Sequence, residues 1–240
     1  MAGHSQFKNI MHRKGAQDSK RAKIFARLAR EITVAVKSGN ADPKQNPRLR
    51  NAIINARSEN MPNDKIKNAL QKGTSSNKFD NLLEIRYEGY GPNGIAVIIE
   101  TITDNKNRTA SEIRTILNKH GGRLAESGSV SFNFSRVAEL TFKKNGFAAE
   151  NLIEASIELG SLDFYEDANS VVIICTNNDF GIIKDKLEED FGEPKSAKLV
   201  WHVVNSIKAD SELRKKIYSL IDLLEDNDDV QGVYTNLIWS

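Results

Sequence analysis

Cysteine is almost missing: the 240-residue chain holds one, Cys175. A single thiol permits no internal disulfide, which fits a reducing compartment and predicts a cytoplasmic protein. It also removes every zinc motif built on paired cysteines. Long apolar runs are missing as well. The longest, such as residues 94–99 and 171–175, fall far short of the roughly 18–20 residues that span a bilayer, so no membrane partner is expected. The opening Met1-Ala2-Gly3-His4-Ser5 lacks the apolar core of a secretory signal. Aromatics are scarce at the start: of 17 in the chain, only Phe7 and Phe25 precede residue 79. Single-strand binders stack successive bases on aromatic rings, and this region has too few to do so at length.

Acids are scarce in the same place. Residues 1–78 carry 17 Lys/Arg and 5 Asp/Glu, whereas residues 79–240 carry 17 and 27. The net charge of +2 therefore hides a basic third of +12 and an acidic remainder of −10. Such a split points to a polyanion-binding region carried by an acidic body, which would repel stray nucleic acid or mask the basic part.

Apolar spacing predicts an α+β fold. In the first third, Ile24, Leu28, Ile32 and Val36 fall four apart, with Phe25 and Ala35 widening the stripe of an amphipathic helix capped at Asp18 or Ser19. Residues 47–60 follow an Asn46 cap and a Pro47 start, with Leu49, Ala52, Ile53 and Ala56 on one face. A shorter helix runs from Pro62 to Gly73. Residues 1–18 are expected to form an extended or loosely held arm. The three helices make a basic helical domain over residues 1–78. Strands at 82–88 and 95–103, a helix at 109–120 with a Thr109…Glu112 capping box, and a strand at 130–134 open a middle domain. Residues 137–203 then read β-α-β-β-α-β, the order of a ferredoxin-like unit. A helix at 211–224 and a strand at 230–237 lack local partners. They return to the first sheet, so residues 79–135 plus 205–240 form the middle domain and residues 136–204 are inserted in it.

The basic third offers the candidate site. Lys8, Arg13, Lys14, Lys20, Arg21, Lys23, Arg27 and Arg30 fall within 23 positions beside one acid, Asp18. Arg48, Arg50 and Arg57 add a second patch, and His4 and His12 are potential stacking groups. A solvated helix face usually mixes Glu with Lys, and this one does not, which favours nucleic acid. Arg27 and Arg30 have no Asn or Gln partners on their helix, so reading of phosphates and shape is expected over base reading. The loop Asn105, Lys106, Asn107 and Arg108, feeding a helix start, is a second candidate contact.

Other motifs give way to simpler readings. Gly89-Tyr90-Gly91-Pro92-Asn93-Gly94 fits a dinucleotide pattern, but a β run follows where a helix is required, so it reads as a turn between antiparallel strands. The cluster Glu225-Asp226-Asn227-Asp228-Asp229 fails the EF-hand template at Val230 and Gln231 and reads as an exposed helix-to-strand turn. His120 and His202 show no metal-site spacing, and Cys175 sits in an apolar run. No catalytic constellation, metal site or cofactor is expected, and the chain reads as a non-enzyme. An RNA-modifying enzyme and a protein-interaction scaffold, using the acidic domains for protein partners, stay open as alternatives.

Several segments carry a resemblance. Met1-Ala2-Gly3-His4-Ser5, His12-Arg13-Lys14-Gly15-Ala16-Gln17-Asp18, Arg30-Glu31-Ile32-Thr33-Val34-Ala35, Asn46-Pro47-Arg48-Leu49-Arg50 and Asn60-Met61-Pro62 are similar to the opening of the YebC/PmpR family. Tyr87-Glu88-Gly89-Tyr90-Gly91-Pro92, Thr103-Asp104-Asn105, Asn107-Arg108-Thr109, Glu126-Ser127-Gly128-Ser129-Val130 and Asp226-Asn227-Asp228-Asp229-Val230-Gln231 with Val233-Tyr234 continue the match in order. The resemblance implies three domains and a bacterial cytoplasmic protein or its organellar counterpart; a start directly on the motif favours the bacterial form. Family members are described both as DNA-binding transcriptional regulators and as ribosome-associated translation factors acting at difficult sequences such as proline runs. Gln6-Phe7 stands where the family often has Lys-Trp, which predicts weaker binding if that aromatic stacks. Residues 158–162, Glu-Leu-Gly-Ser-Leu, replace the usual Glu-Ala-Gly-Ala-Glu. The favoured reading is a ribosome- and ribosomal-RNA-associated translation factor, with DNA-bound transcriptional control as its alternative.

Overall fold

The first helix is far longer than its cap residues suggest. In the computed structural model, which describes residues 3–75, 82–144 and 146–238 with side chains from Lys20 onward, α1 runs from Gly3 to Lys37. Asp18 and Ser19 therefore lie inside α1 and cap nothing, and over residues 3–18 the expected extended arm is replaced by helix. The segment holds no proline and two glycines, Gly3 at its start and Gly15, among good helix formers such as Met11, Lys14 and Ala16.

The buried stripe of α1 also differs from the four-residue spacing. Ile24 is 37% exposed, while Phe25, Ile32, Ala35 and Val36 are buried and Leu28 and Ala29 pack against them. Steps of four overrun the helical repeat by about 40° each, so the row keeps Leu28, Ile32 and Val36 on the core and turns its first member, Ile24, outward. Helix α2, Pro47–Ser58, presents Leu49, Ala52, Ile53 and Ala56 to that stripe. Asn46 caps it by accepting from the Leu49 N–H at 3.0 Å, and its amide donates to the Ala35 carbonyl at 2.7 Å, tying α2 to α1. Helix α3, Asn63–Thr74, closes the bundle with Ile66 and Ala69. Gly73 lets α3 touch α1: an added Cβ would stand 2.6 Å from Val36 Cβ and 3.0 Å from the Thr33 carbonyl. Gly73→Ala is therefore expected to cost about 1–3 kcal/mol, as overpacking usually does, despite the better helix former; urea denaturation at neutral pH measures it.

Strands β1, Leu83–Tyr90, and β2, Ala96–Thr103, pair antiparallel across a 3₁₀ turn at Pro92–Gly94. The glycine-rich segment is thus a strand connection, as the following β run required. Helix α4, Lys106–Lys119, leads to a three-residue strand β3, Arg123–Ala125, absent from the sequence reading. The sheet order is β3-β1-β2-β8, where β8 is Val230–Thr235, preceded by helix α7, Ser211–Glu225. Helices α4 and α7 cover one face through Ile113, Leu117, Leu220 and Leu224 against Val97, Ile99 and Val230. Two expectations fail here. Asn105, not the Thr109…Glu112 box, caps α4 by accepting from the Arg108 N–H. Residues 131–133 form a 3₁₀ turn instead of a strand, because the Glu88 carboxylate takes the Val130 and Ser131 N–H groups away from any ladder.

The inserted unit follows the ferredoxin-like order: β4, Phe134–Lys143; α5, Ala149–Glu158; β5, Asp163–Glu166; β6, Ser170–Thr176; α6, Phe180–Phe191; β7, Ser196–Val203. Its sheet order is β5-β6-β4-β7, all antiparallel, over a core of Leu140, Phe142, Leu152, Ile173, Ile183 and Leu187. The back of the first sheet receives this unit. Ala96, Ile98, Val130 and Phe134 are buried together, with Tyr90, Trp201 and Tyr234 against them. Trp201 donates to Glu100 at 3.0 Å, and the Arg86 and Arg136 guanidiniums each lie about 5 Å from its ring.

Candidate nucleic-acid interface

The cations picked out by the sequence do not share one fate. Lys23, Arg27 and Arg30 recur along one side of α1, and all three reach the turn between α7 and β8. Lys23 Nζ lies 2.5 Å from Asp226, and Arg27 donates to the Glu225 carbonyl. Arg30 donates to the carbonyls of Ile102 and Asp228, each at 2.7 Å, and to the Asp229 carboxylate at 3.0 Å. Arg48 forks between Glu31 on α1 and Glu84 on β1, with contacts of 2.7–3.1 Å. These four are engaged inside the protein. Arg50 is half-buried in α2, and Arg57 at its far end is exposed. The side chains of His4, Lys8, His12, Arg13 and Lys14, on the first part of α1, lie outside the described residues.

A second set faces outward. Lys20 and Arg21 are exposed on α1, and Lys65 and Lys67 on α3. Arg21 and Lys65 approach the Phe25 ring from two helices, at 5.3 and 5.0 Å from its centroid. Phe25 is thus covered by two cations and does not stand free to stack on a base. Lys65 and Lys67 escaped the sequence reading, although α3 carries basic residues on its outer side and one acid, Asp64, in its first turn. That composition was the available signal.

The loop candidate behaves differently. Asn105 is spent as a helix cap, Lys106 and Asn107 are exposed, and Arg108 pairs with Asp104 at 2.9 Å and Asp229 at 2.7 Å. Asp229 is the centre of this corner and only 5% exposed. Thr103 and Thr109 donate to the same carboxylate oxygen as Arg108, at 3.0 and 2.7 Å. The expected exposed turn is therefore exposed at Asp226 and Asp228 and buried at Asp229, because four donors from three elements converge on that side chain. A polar cleft of about 400 Å³ opens beside it, lined by Arg30, Arg108, Glu112 and Asp228 among others. Among the described residues no group of three or more His, Cys, Asp or Glu side chains is arranged to hold a metal, and no helix is long and apolar enough to cross a membrane.

Residues 5–76 match the family model for the TACO1/YebC protein N-terminal domain, and residues 82–237 match that for the TACO1/YebC second and third domain. The chain belongs to the TACO1/YebC family. Its fold is shared by the crystal structure of a conserved hypothetical protein, Aq1575, from Aquifex aeolicus, at a TM-score of 0.82 and 36% sequence identity, over 92% of this chain and 91% of that one. Membership of the TACO1/YebC family is consistent with a nucleic-acid-binding regulator.

Two buried carboxylates hold this TACO1/YebC chain together and set its acid sensitivity. Burial pushes the Asp229 carboxyl up, but hydrogen bonds from Arg108, Thr109 and Thr103 and the Arg108 charge outweigh it, leaving the carboxyl below its usual range. Burial likewise opposes Glu88, which is 1% exposed, but backbone N–H groups of Val130, Gly128 and Ser131 and the Arg86 charge bring it below the usual range too. A depressed folded-state value stabilises the fold above the unfolded-state carboxyl range, near pH 4, and the contribution is lost as the pH falls through the folded value. Urea midpoints should stay level from neutrality to about pH 5 and fall steeply below about pH 4. A level midpoint down to pH 3 would show that neither carboxylate is linked to folding.

Proposed function

We propose that this chain is a non-enzymatic nucleic-acid-binding regulator of gene expression, working in the cytoplasm as a translation factor on the ribosome through ribosomal RNA. The observation that carries this reading is the set of exposed cations Lys20, Arg21, Lys65 and Lys67 on α1 and α3. Its chemistry suits phosphates held in a folded shape. Its aromatic ring is covered by cations, and three of the arginines and lysines that would read bases from α1 are engaged by the protein's own acidic turn. Structured RNA offers many phosphates at fixed spacing and asks for little base reading.

The test is crosslinking in living cells with sequencing of all attached RNA and DNA. Fragments concentrated on one ribosomal RNA region are the expected result. Fragments concentrated on promoter DNA would replace the translation reading with transcriptional control. A turnover that vanished on one carboxylate substitution would overturn the non-enzymatic reading.

A further inference from the structure

The joint between the helical domain and the rest of the chain is unusual in what holds it. Every buried apolar cluster among the described residues lies on one side or the other: the helical core spans Phe25 to Leu70, and the remaining clusters begin at Tyr87. The hydrogen bonds and ion pairs that cross join three places. Lys23, Arg27 and Arg30 meet the 225–229 turn, Arg48 meets Glu84, and Asn55 pairs with the backbone N–H and carbonyl of Ala197 at 3.0 and 2.9 Å.

At the first of these contacts the cations all come from α1, and all their partners are acceptors. They are carboxylates of Asp226 and Asp229 and carbonyls of Ile102, Glu225 and Asp228. The Glu225 carbonyl sits at the carboxy end of α7, where unpaired carbonyls concentrate the negative end of the helix dipole. The turn thus presents to α1 closely spaced acceptor oxygens, two of them on carboxylates, as a phosphate strand would present its own. The Lys23–Asp226 pair is exposed, and such pairs are weak and screened by salt; domain contacts without a shared apolar cluster move readily.

We propose that this joint is an electrostatic latch, in which the 225–229 turn occupies the Lys23–Arg27–Arg30 side of α1 in place of phosphates, and that nucleic acid bound by the helical domain competes it off and opens the joint. The proposal rests on the nucleic-acid reading above and supplies its regulation. The free protein is closed and presents only its outer cations. A ligand long enough to reach round α1 gains three more contacts by displacing the turn, so binding and opening are coupled. A short or isolated anion lacks that reach and leaves the latch shut.

The experiment places a donor–acceptor dye pair on the full chain through Asn68→Cys on α3 and Lys119→Cys on α4, both at exposed positions. Cys175 is fully buried and its thiol is pushed up to about 11 by burial, so it stays unlabelled. The probe is a structured RNA hairpin. Energy transfer should fall on RNA addition, and Asp226→Asn should bind the hairpin about two- to fivefold more tightly than the parent, the range for releasing one exposed ion pair. Glu150→Gln, the same charge change on the inserted unit, should leave affinity unchanged. RNA binding with constant energy transfer, or equal affinities for Asp226→Asn and Glu150→Gln, overturns the latch and leaves the functional reading intact. If no form binds RNA, the functional reading falls. A potassium chloride titration then decides the joint alone: falling transfer retains an electrostatic latch, and constant transfer removes it.

Discussion

Replacing Asp229 with alanine should lower stability by about 3 kcal/mol, the low end of the cost of breaking a buried ion pair. The substitution strands four donors at once. Arg108, Thr103 and Thr109 lose their shared oxygen, and Arg30 loses one of its three acceptors. Two features hold the value at the low end. The Arg108 side chain is 44% exposed, so water can take over its charge. The Thr109 hydroxyl, freed from the carboxylate, has the Thr103 hydroxyl 2.8 Å away as a second acceptor for its one proton. Asp229→Asn keeps the shape and one acceptor but loses the charge, and about 2 kcal/mol is expected, since hydrogen bonds to charged groups are the stronger kind. Urea unfolding at neutral pH gives both numbers. The asparagine variant should also lose part of the steep fall below pH 4, because one of the two linked carboxylates is gone. A loss below about 1 kcal/mol for alanine would mean that the convergence of donors on Asp229 carries no more than an ordinary surface contact.

The double variant Arg21→Glu/Lys65→Glu should bind a structured RNA hairpin about 10–100-fold more weakly at physiological ionic strength, because phosphate contacts dominate such affinities. Both side chains are exposed, neither has a carboxylate partner among the described ion pairs, and both lie over Phe25. The salt dependence is the sharper readout. Each cation on a phosphate contributes about one to the slope of log affinity against log salt, so the slope should flatten by about two. Arg48→Ala provides the contrast. Arg48 is committed to Glu31 and Glu84, and those hydrogen bonds and charges raise its ionisation range despite burial. Its loss should weaken the fold with little change in that slope. Equal slopes for the parent and the double variant would move the interface away from the α1–α3 surface.

Much of the architecture was legible because it rests on periodicity. The α2 stripe, the β-α-β-β-α-β order and the return of β8 to the first sheet all follow from apolar spacing and from elements left without neighbours. Glycine and Asn/Pro signals placed the ends of α2 and α3 to within about two residues, the usual precision of such boundaries. The failures share a cause. Thr109 and Glu88 look like surface polar groups in a window of sequence, and each is recruited by a partner more than 40 positions away. The acidic turn looked solvated for the same reason: only the fold brings Arg30 and Arg108 to Asp229. Charge composition located the basic domain but could not divide its cations into those spent internally and those facing out. That division depends on which side of α1 meets the first sheet.

The placement of β8 has a consequence for how the chain is made. Strand β2 is buried along nearly its whole length, yet one of its two edges is closed only by residues 230–235, more than 120 positions later. Until those residues leave the ribosome, the first sheet presents an open apolar edge and lacks α7 over Val97 and Ile99. The ferredoxin-like unit has no such debt, since its six elements are contiguous and its core is its own. It should become protease-resistant first during synthesis, with the sheet that surrounds it in sequence closing last. Long-range pairing of this kind is slow and exposed to aggregation, so substitutions that roughen β2 should reduce yield in the cell more than they reduce stability in the test tube.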